Sequence, residues 1–171
     1  MTDQSAEGLP TLTLDTSVIL EYLREQRRAD VVQALLTLAA DHHVDLAVTA
    51  RIHEDVPLPP LADRLNELPE LGVSEAPSIA RIGFWELGRD MLGSDRFQDV
   101  SAELDAILLK KGHSQPDWRD WDHIHAHYLL HRDFFLTWDK PLLSLAPELE
   151  SQLGLVVTTP EAYIARGSRP A

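Results

Sequence analysis

Four short apolar runs set the frame of this chain: TLTL at 11–14, VDLAVT at 44–49, FFLT at 134–137 and LGLVVTT at 153–159. A strand wet on one face alternates apolar and polar residues, whereas one covered on both faces is apolar nearly throughout, as these are. The segments between them carry a different period. In SVILEYLREQRR, 17–28, the residues Val18, Tyr22 and Leu23 share a helical face. A second helix is expected over 30–43 with Asp30 as its N-cap. ARIHEDV, 50–56, reads as a short helix that PLPP at 57–60 breaks. Helices follow over 61–71 (cut at Pro69), 78–92 and 97–111, then a loop over 112–118 and a helix over 122–132. A helical stretch over 141–152 and a closing helix over 160–166 complete the pattern, with Pro160 in a tolerated first-turn position. Strands separated by helices predict an α/β fold with a central parallel sheet and helices on both faces.

Parallel sheets of this kind carry their sites beyond the carboxyl ends of the strands. Asp15 follows the first run directly, and Asp139 lies two residues past Thr137, the last residue of FFLT. Glu54 lies five residues past Thr49, on the helix leaving the second strand, and Asp122 opens the helix that leads into FFLT. Each acid has a plain structural explanation. Asp15 and Asp122 suit helix N-caps, Asp139 suits a turn before Pro141, and Glu54 suits a solvated helix position. Gathered at one edge, however, four carboxylates repel one another and call for a cation. All-oxygen ligation suits Mg²⁺ or Mn²⁺, and such ions activate water and stabilise displacement at phosphorus.

Composition limits the alternatives. The 171 residues, 44% hydrophobic and 25% charged, suit one globular domain with a substantial core. A net charge of −13 gives no basic face for a polyanion, so a nucleic-acid partner requires bound cations to reverse the local sign. Most of the acidic excess reads as solvated surface. Zero cysteines exclude disulfides, thiolate metal sites and cysteine nucleophiles. No run approaches the ~18 apolar residues of a membrane span, and MTDQSAEGLP has neither signal-peptide nor transit-peptide character. The expectation is a cytoplasmic protein with no membrane partner. It would have a flexible segment over 1–10, one domain over 11–166 and a flexible tail over 167–171.

Other chemistry-bearing residues compete less well. His123, His127 and His131 recur every four residues, with His125 elsewhere on the turn. No HExxH pattern accompanies them, so packed or surface imidazoles are the simpler reading than zinc. HHVD at 42–45 suits a helix C-terminus. Arg24, Arg27 and Arg28 form a basic cluster that reads first as a solvated face and second as a phosphate contact. Trp118 and Trp121 flank Asp120, a rival to Asp122 for the third acid. Phosphate-binding loops, dinucleotide fingerprints and nucleophile elbows are absent.

LTLDTSVILEYL, VTARIHED, WDHIHAHYLLHRDFFLTWDK and LGLVVTTPEAYI together resemble, in order and spacing, the PIN-domain nucleases, which include the VapC-like toxins. The resemblance covers about residues 11–56 and 116–165. It implies a three-layer α/β/α fold and an acidic Mg²⁺ site that cleaves RNA phosphodiesters. It carries the family's four acids onto Asp15, Glu54, Asp122 and Asp139, and the hydroxyl of its Thr-x-Asp motif onto Thr137. Ser17 stands where the family often has asparagine, DHIHAH replaces small apolar residues after the third acid, and 70–112 is a longer helical middle than in compact toxins. The implied partners are an RNA substrate and, for a toxin, a cognate antitoxin or other protein, with a homodimer also open. The rival expectation is a PIN-like protein-interaction module without catalysis.

Overall fold

All four apolar runs contribute neighbouring strands of one parallel sheet. The computed structural model describes residues 8–56, 59–79, 90–91, 102–103, 106–107 and 118–167. Strand β1 (Thr11–Leu14) leads through helices α1 (Thr16–Leu23) and α2 (Ala29–Ala40) to β2 (Asp45–Thr49). Helices α3 (Ile52–Asp55) and α4 (Pro59–Leu65) and a 3-10 turn (Leu68–Leu71) then lead to β3 (Val73–Ala76). A separate short pair, β4 (Ser78–Ile79) and β5 (Asp90–Met91), follows. The chain closes with α5 (Trp118–Leu129), β6 (Phe134–Leu136), α6 (Lys140–Leu153), β7 (Val156–Thr158) and α7 (Pro160–Gly167). The five-stranded sheet has the order β3-β2-β1-β6-β7, and every neighbouring pair is parallel.

That order makes β1 the switch point. The chain builds outward from β1 through β2 to β3, then returns to place β6 on the other side of β1. Crossovers diverge there, which opens a crevice at the carboxyl ends of β1 and β6. Side chains alternate between two apolar layers. Leu12, Leu14, Leu46, Val48 and Leu136 pack with Val18 and Ile19 of α1 and Val32 and Leu35 of α2. Phe135 and Val157 pack on the other side with Ile124 of α5 and Leu142, Leu145 and Leu149 of α6. Both strand faces are covered, so the runs are apolar throughout. The architecture is three-layered, α/β/α. Among the described residues no helix is long and apolar enough to cross a membrane.

Several expected boundaries move. Helix α1 stops at Leu23, and Glu25 takes a left-handed conformation (φ 52°), so the basic stretch after it lies in a turn. Asp30 falls in the first turn of α2, whose N-cap position is Arg28. Helix α3 ends at Asp55, ahead of PLPP as expected, and Pro59 and Pro60 then open α4, since a first-turn proline lacks only an N–H that would have no helical partner. Strand β3 escaped the sequence pattern because its middle residues, Ser74 and Glu75, are exposed at the sheet edge. Ser78–Ile79 and Asp90–Met91 are strands where a helix over 78–92 was expected. Residues 102–103 and 106–107 are helical, within the helix expected over 97–111. Of the loop expected over 112–118, Trp118 instead opens α5, while 112–117 and most of both terminal segments lie outside the described residues.

His127 shows how the second layer tolerates a polar residue. Its Nδ1 lies 2.9 Å from the buried Thr13 hydroxyl, and its ring meets Phe135 edge-on at 5.5 Å. Burial, then the charge of Arg132, pushes its pKa down from 6.5 to about 3, against a smaller opposing pull from Asp133. The folded chain therefore refuses a proton that the unfolded chain accepts, and stability falls as pH drops from 6.5 towards 3. The slope from this one group is about 1.4 kcal/mol per pH unit. Urea denaturation at pH 7 and pH 5 should show wild type losing roughly 2 kcal/mol more than His127→Leu over that interval.

Candidate active site

Asp15 sits at the switch point. Its N–H extends the ladder by donating to the Leu136 carbonyl at 3.0 Å, and its own carbonyl accepts from Val18 N at 3.0 Å to start α1. Its side chain makes no capping hydrogen bond, which removes the simplest structural explanation for it. Although Asp15 is buried, one oxygen carries its hydrogen bonds: Oδ2 accepts from Ser17 Oγ at 2.6 Å and from Thr137 Oγ1 at 2.7 Å. Oδ1 accepts none among the described residues. Thr137 is fully buried one residue past β6, and its hydroxyl also accepts from Asp139 N at 2.9 Å. Asp139 is the N-cap of α6, accepting from Leu142 N through Oδ1 at 2.8 Å. Its Oδ2 likewise takes no hydrogen bond among the described residues. Asp15, Thr137 and Asp139 thus form one linked group at the carboxyl edges of β1 and β6.

Glu54 and Asp122 belong to a second group, organised by Arg51. The guanidinium is 1% exposed, pairs with Asp122 Oδ2 at 2.9 Å through Nη2, and bonds Glu54 Oε2 through Nη1. Asp122 is equally buried, while half of the Glu54 side chain is exposed. Helix α5 begins at Trp118, so Asp122 lies a full turn inside the helix and does not open it. The side chains of Trp118, Asp120 and Trp121 lie outside the described residues. Part of the cation that four gathered acids call for is therefore supplied by the chain itself.

Sequence reading passed over a third group, or gave it only a structural role. Asp55 Oδ2 accepts from Thr16 Oγ1 at 2.8 Å and lies 2.8 Å from His123 Nε2, and His123 Nδ1 meets Thr49 Oγ1. A one-turn helix that buries Ile52 carries Asp55 inward three positions later and turns Glu54 outward. That spacing was legible in ARIHED, whereas the burial of Arg51 had no counterpart in the sequence pattern.

The donor set at the edge is carboxylate and hydroxyl oxygen. Among the described residues no three His, Asp or Glu side chains converge as a cage for a metal ion. Mg²⁺ does not require one, because it commonly keeps several waters and takes only one or two carboxylates from the protein. Asp15 and Asp139, each with one oxygen outside its hydrogen bonds, fit that mode. The histidine face fits zinc poorly, since both ring nitrogens of His123 and the Nδ1 of His127 face protein partners.

At the rim, Trp138 stands between Thr137 and Asp139. Its indole N–H donates to Glu161 at 2.8 Å, and the Arg28 guanidinium lies over the ring at 4.8 Å from its centroid. Of the basic cluster 24–28, Arg28 is thus brought beside the acidic edge.

No family model and no curated protein matches this sequence. Among solved structures, the fold is similar to a chain in the crystal structure of VapBC2 from Rickettsia felis bound to a DNA fragment from their promoter. The match has a TM-score of 0.51 at 12% identity and covers 87% of this chain and 98% of that one. At that identity the likeness shows a shared fold.

Proposed function

We propose that this chain is a PIN-type, divalent-metal-dependent endoribonuclease. The observation that carries the reading is the Asp15–Thr137–Asp139 group at the β1/β6 switch point. There, the buried Thr137 hydroxyl donates to the Asp15 carboxylate and accepts from the Asp139 backbone N–H, and among the described residues each of the two carboxylates keeps an oxygen outside the protein's own hydrogen bonds. Asp15 and Asp139 would hold Mg²⁺ or Mn²⁺. Bound there, the ion would polarise a phosphodiester and lower the pKa of a water molecule.

The chain's own residues have separable tasks. Ser17 and Thr137 both donate to Asp15 Oδ2, which fixes the carboxylate's rotamer. Asp139 is fixed by its capping bond to α6. Trp138 offers an aromatic face for a base, and Arg28 a guanidinium for a backbone phosphate. The test is cleavage of a 5′-labelled single-stranded RNA in Mg²⁺, in Mn²⁺ and in EDTA. Cleavage should require a divalent ion, and cleavage that survives EDTA would refute the mechanism.

The fold shared with VapBC2 supports a toxin role with a small antitoxin as partner. Co-expression with the product of a neighbouring small reading frame would test it, a stable complex being the expected result. A second reading, an interaction module without catalysis, draws support from Arg51, which ties two of the four acids, Asp122 and Glu54, to the protein itself. Saturable Mn²⁺ binding without cleavage of any RNA would favour that reading.

A further inference from the structure

Two of the four acids, Glu54 and Asp122, are held by a guanidinium where a divalent ion would otherwise be needed to offset their charge. We propose that Arg51 is a resident cation of this edge and stands in for a second divalent ion, so that the chain takes a single ion, through Asp15 and Asp139. The inference rests on the proposed metal site but concerns its stoichiometry and the residue that sets it.

Three observations lead there. Asp122 is 1% exposed, and a carboxylate so buried requires a partner, which Arg51 Nη2 provides at 2.9 Å. The same guanidinium reaches Glu54 through Nη1, so one fixed positive charge spans two of the four acids. Arginine keeps its charge at any working pH, and its planar fork suits two carboxylate partners in a way that a lysine point charge does not. The remaining acids, Asp15 and Asp139, are bonded to hydroxyl and backbone N–H donors and, among the described residues, not to a side-chain cation. Charge balance therefore divides the edge in two. In one half the fold supplies one positive charge against two carboxylates, and the other is open to an ion from solution.

The experiment is Mn²⁺ binding to the full chain, counted by electron paramagnetic resonance, with circular dichroism following the fold. Wild type should bind one Mn²⁺, and Asp122→Asn should bind the same number with affinity within about threefold. Arg51→Met removes the positive charge that Glu54 and Asp122 share and should bind two. If Arg51→Met is unfolded in EDTA, refolding on addition of Mn²⁺ supports the proposal equally, and failure of Mn²⁺ to refold it overturns the stand-in role. Arg51→Lys keeps a charge in place and should still bind one ion. The double variant Arg51→Met/Asp122→Asn removes both buried charges, so it should fold in EDTA and bind one ion.

Two ions on wild type, with one lost in Asp122→Asn, would overturn the proposal, as would a single ion on folded Arg51→Met. No ion on wild type but one on Arg51→Met would refute the Asp15–Asp139 metal site while upholding Arg51 as the resident cation. No ion on either would overturn both.

Discussion

Leu136→Asp is expected to leave the chain without a cooperative folded state. Leu136 is fully buried in β6, paired in register with Leu14 of β1 and Thr158 of β7, and packed into the larger core. Replacing it removes a core side chain, at about 2–5 kcal/mol. It also places a carboxylate in an apolar core, which costs several kcal/mol more or forces the group to stay protonated. Against a typical domain stability of about 5–15 kcal/mol the sum is decisive. Far-UV circular dichroism and urea titration would show it as lost cooperativity. Leu9→Asp, at a position 48% exposed, should behave as wild type. A normally folded Leu136→Asp would refute the interior-strand assignment.

Asp15→Asn is expected to abolish RNA cleavage while the fold survives. Asparagine keeps the shape, and its amide oxygen can still accept from Ser17 and Thr137, but the charge that would hold a divalent ion is gone. A fall in kcat/KM of roughly 10²-fold or more is the scale seen when a charge-stabilising group leaves a reaction centre. Asp139→Asn should lose a similar amount and keep its capping role, because an asparagine oxygen caps α6 as well as a carboxylate does. The melting temperature should distinguish a third variant, Asp139→Ala, which also loses the cap at about 1 kcal/mol. Activity retained in Asp15→Asn would remove that residue from the proposed chemistry.

The sheet was legible where both faces of a strand are covered, because burial on both sides leaves an apolar run that no helix period imitates. It was illegible at β3, where VSEA exposes its two middle residues at the edge. It was also illegible at Ser78–Ile79, whose surroundings carry a helical spacing. Among the acids, the strand-end argument located the Asp15 and Thr137–Asp139 group because it follows from strand direction alone. It could not tell Glu54 from Asp55, since either residue can follow a strand on a one-turn helix, and the burial of Ile52 settles which one turns inward. Nor could it find Arg51. A single arginine in a polar segment reads as solvated, and its burial depends on Asp122, 71 positions further along the chain. The acids were expected to crowd and repel, whereas Asp122 is stabilised by its ion pair.

The central claim is that this edge directs water, and not the RNA's own 2′-hydroxyl, at the phosphodiester. The most direct measurement is the chemistry of the RNA ends released in Mn²⁺. Attack by water predicts fragments with ordinary phosphate and hydroxyl ends, produced only while a divalent ion is present and absent from reactions with Asp15→Asn. Fragments ending in 2′,3′-cyclic phosphate, or formed equally well in EDTA, would contradict it.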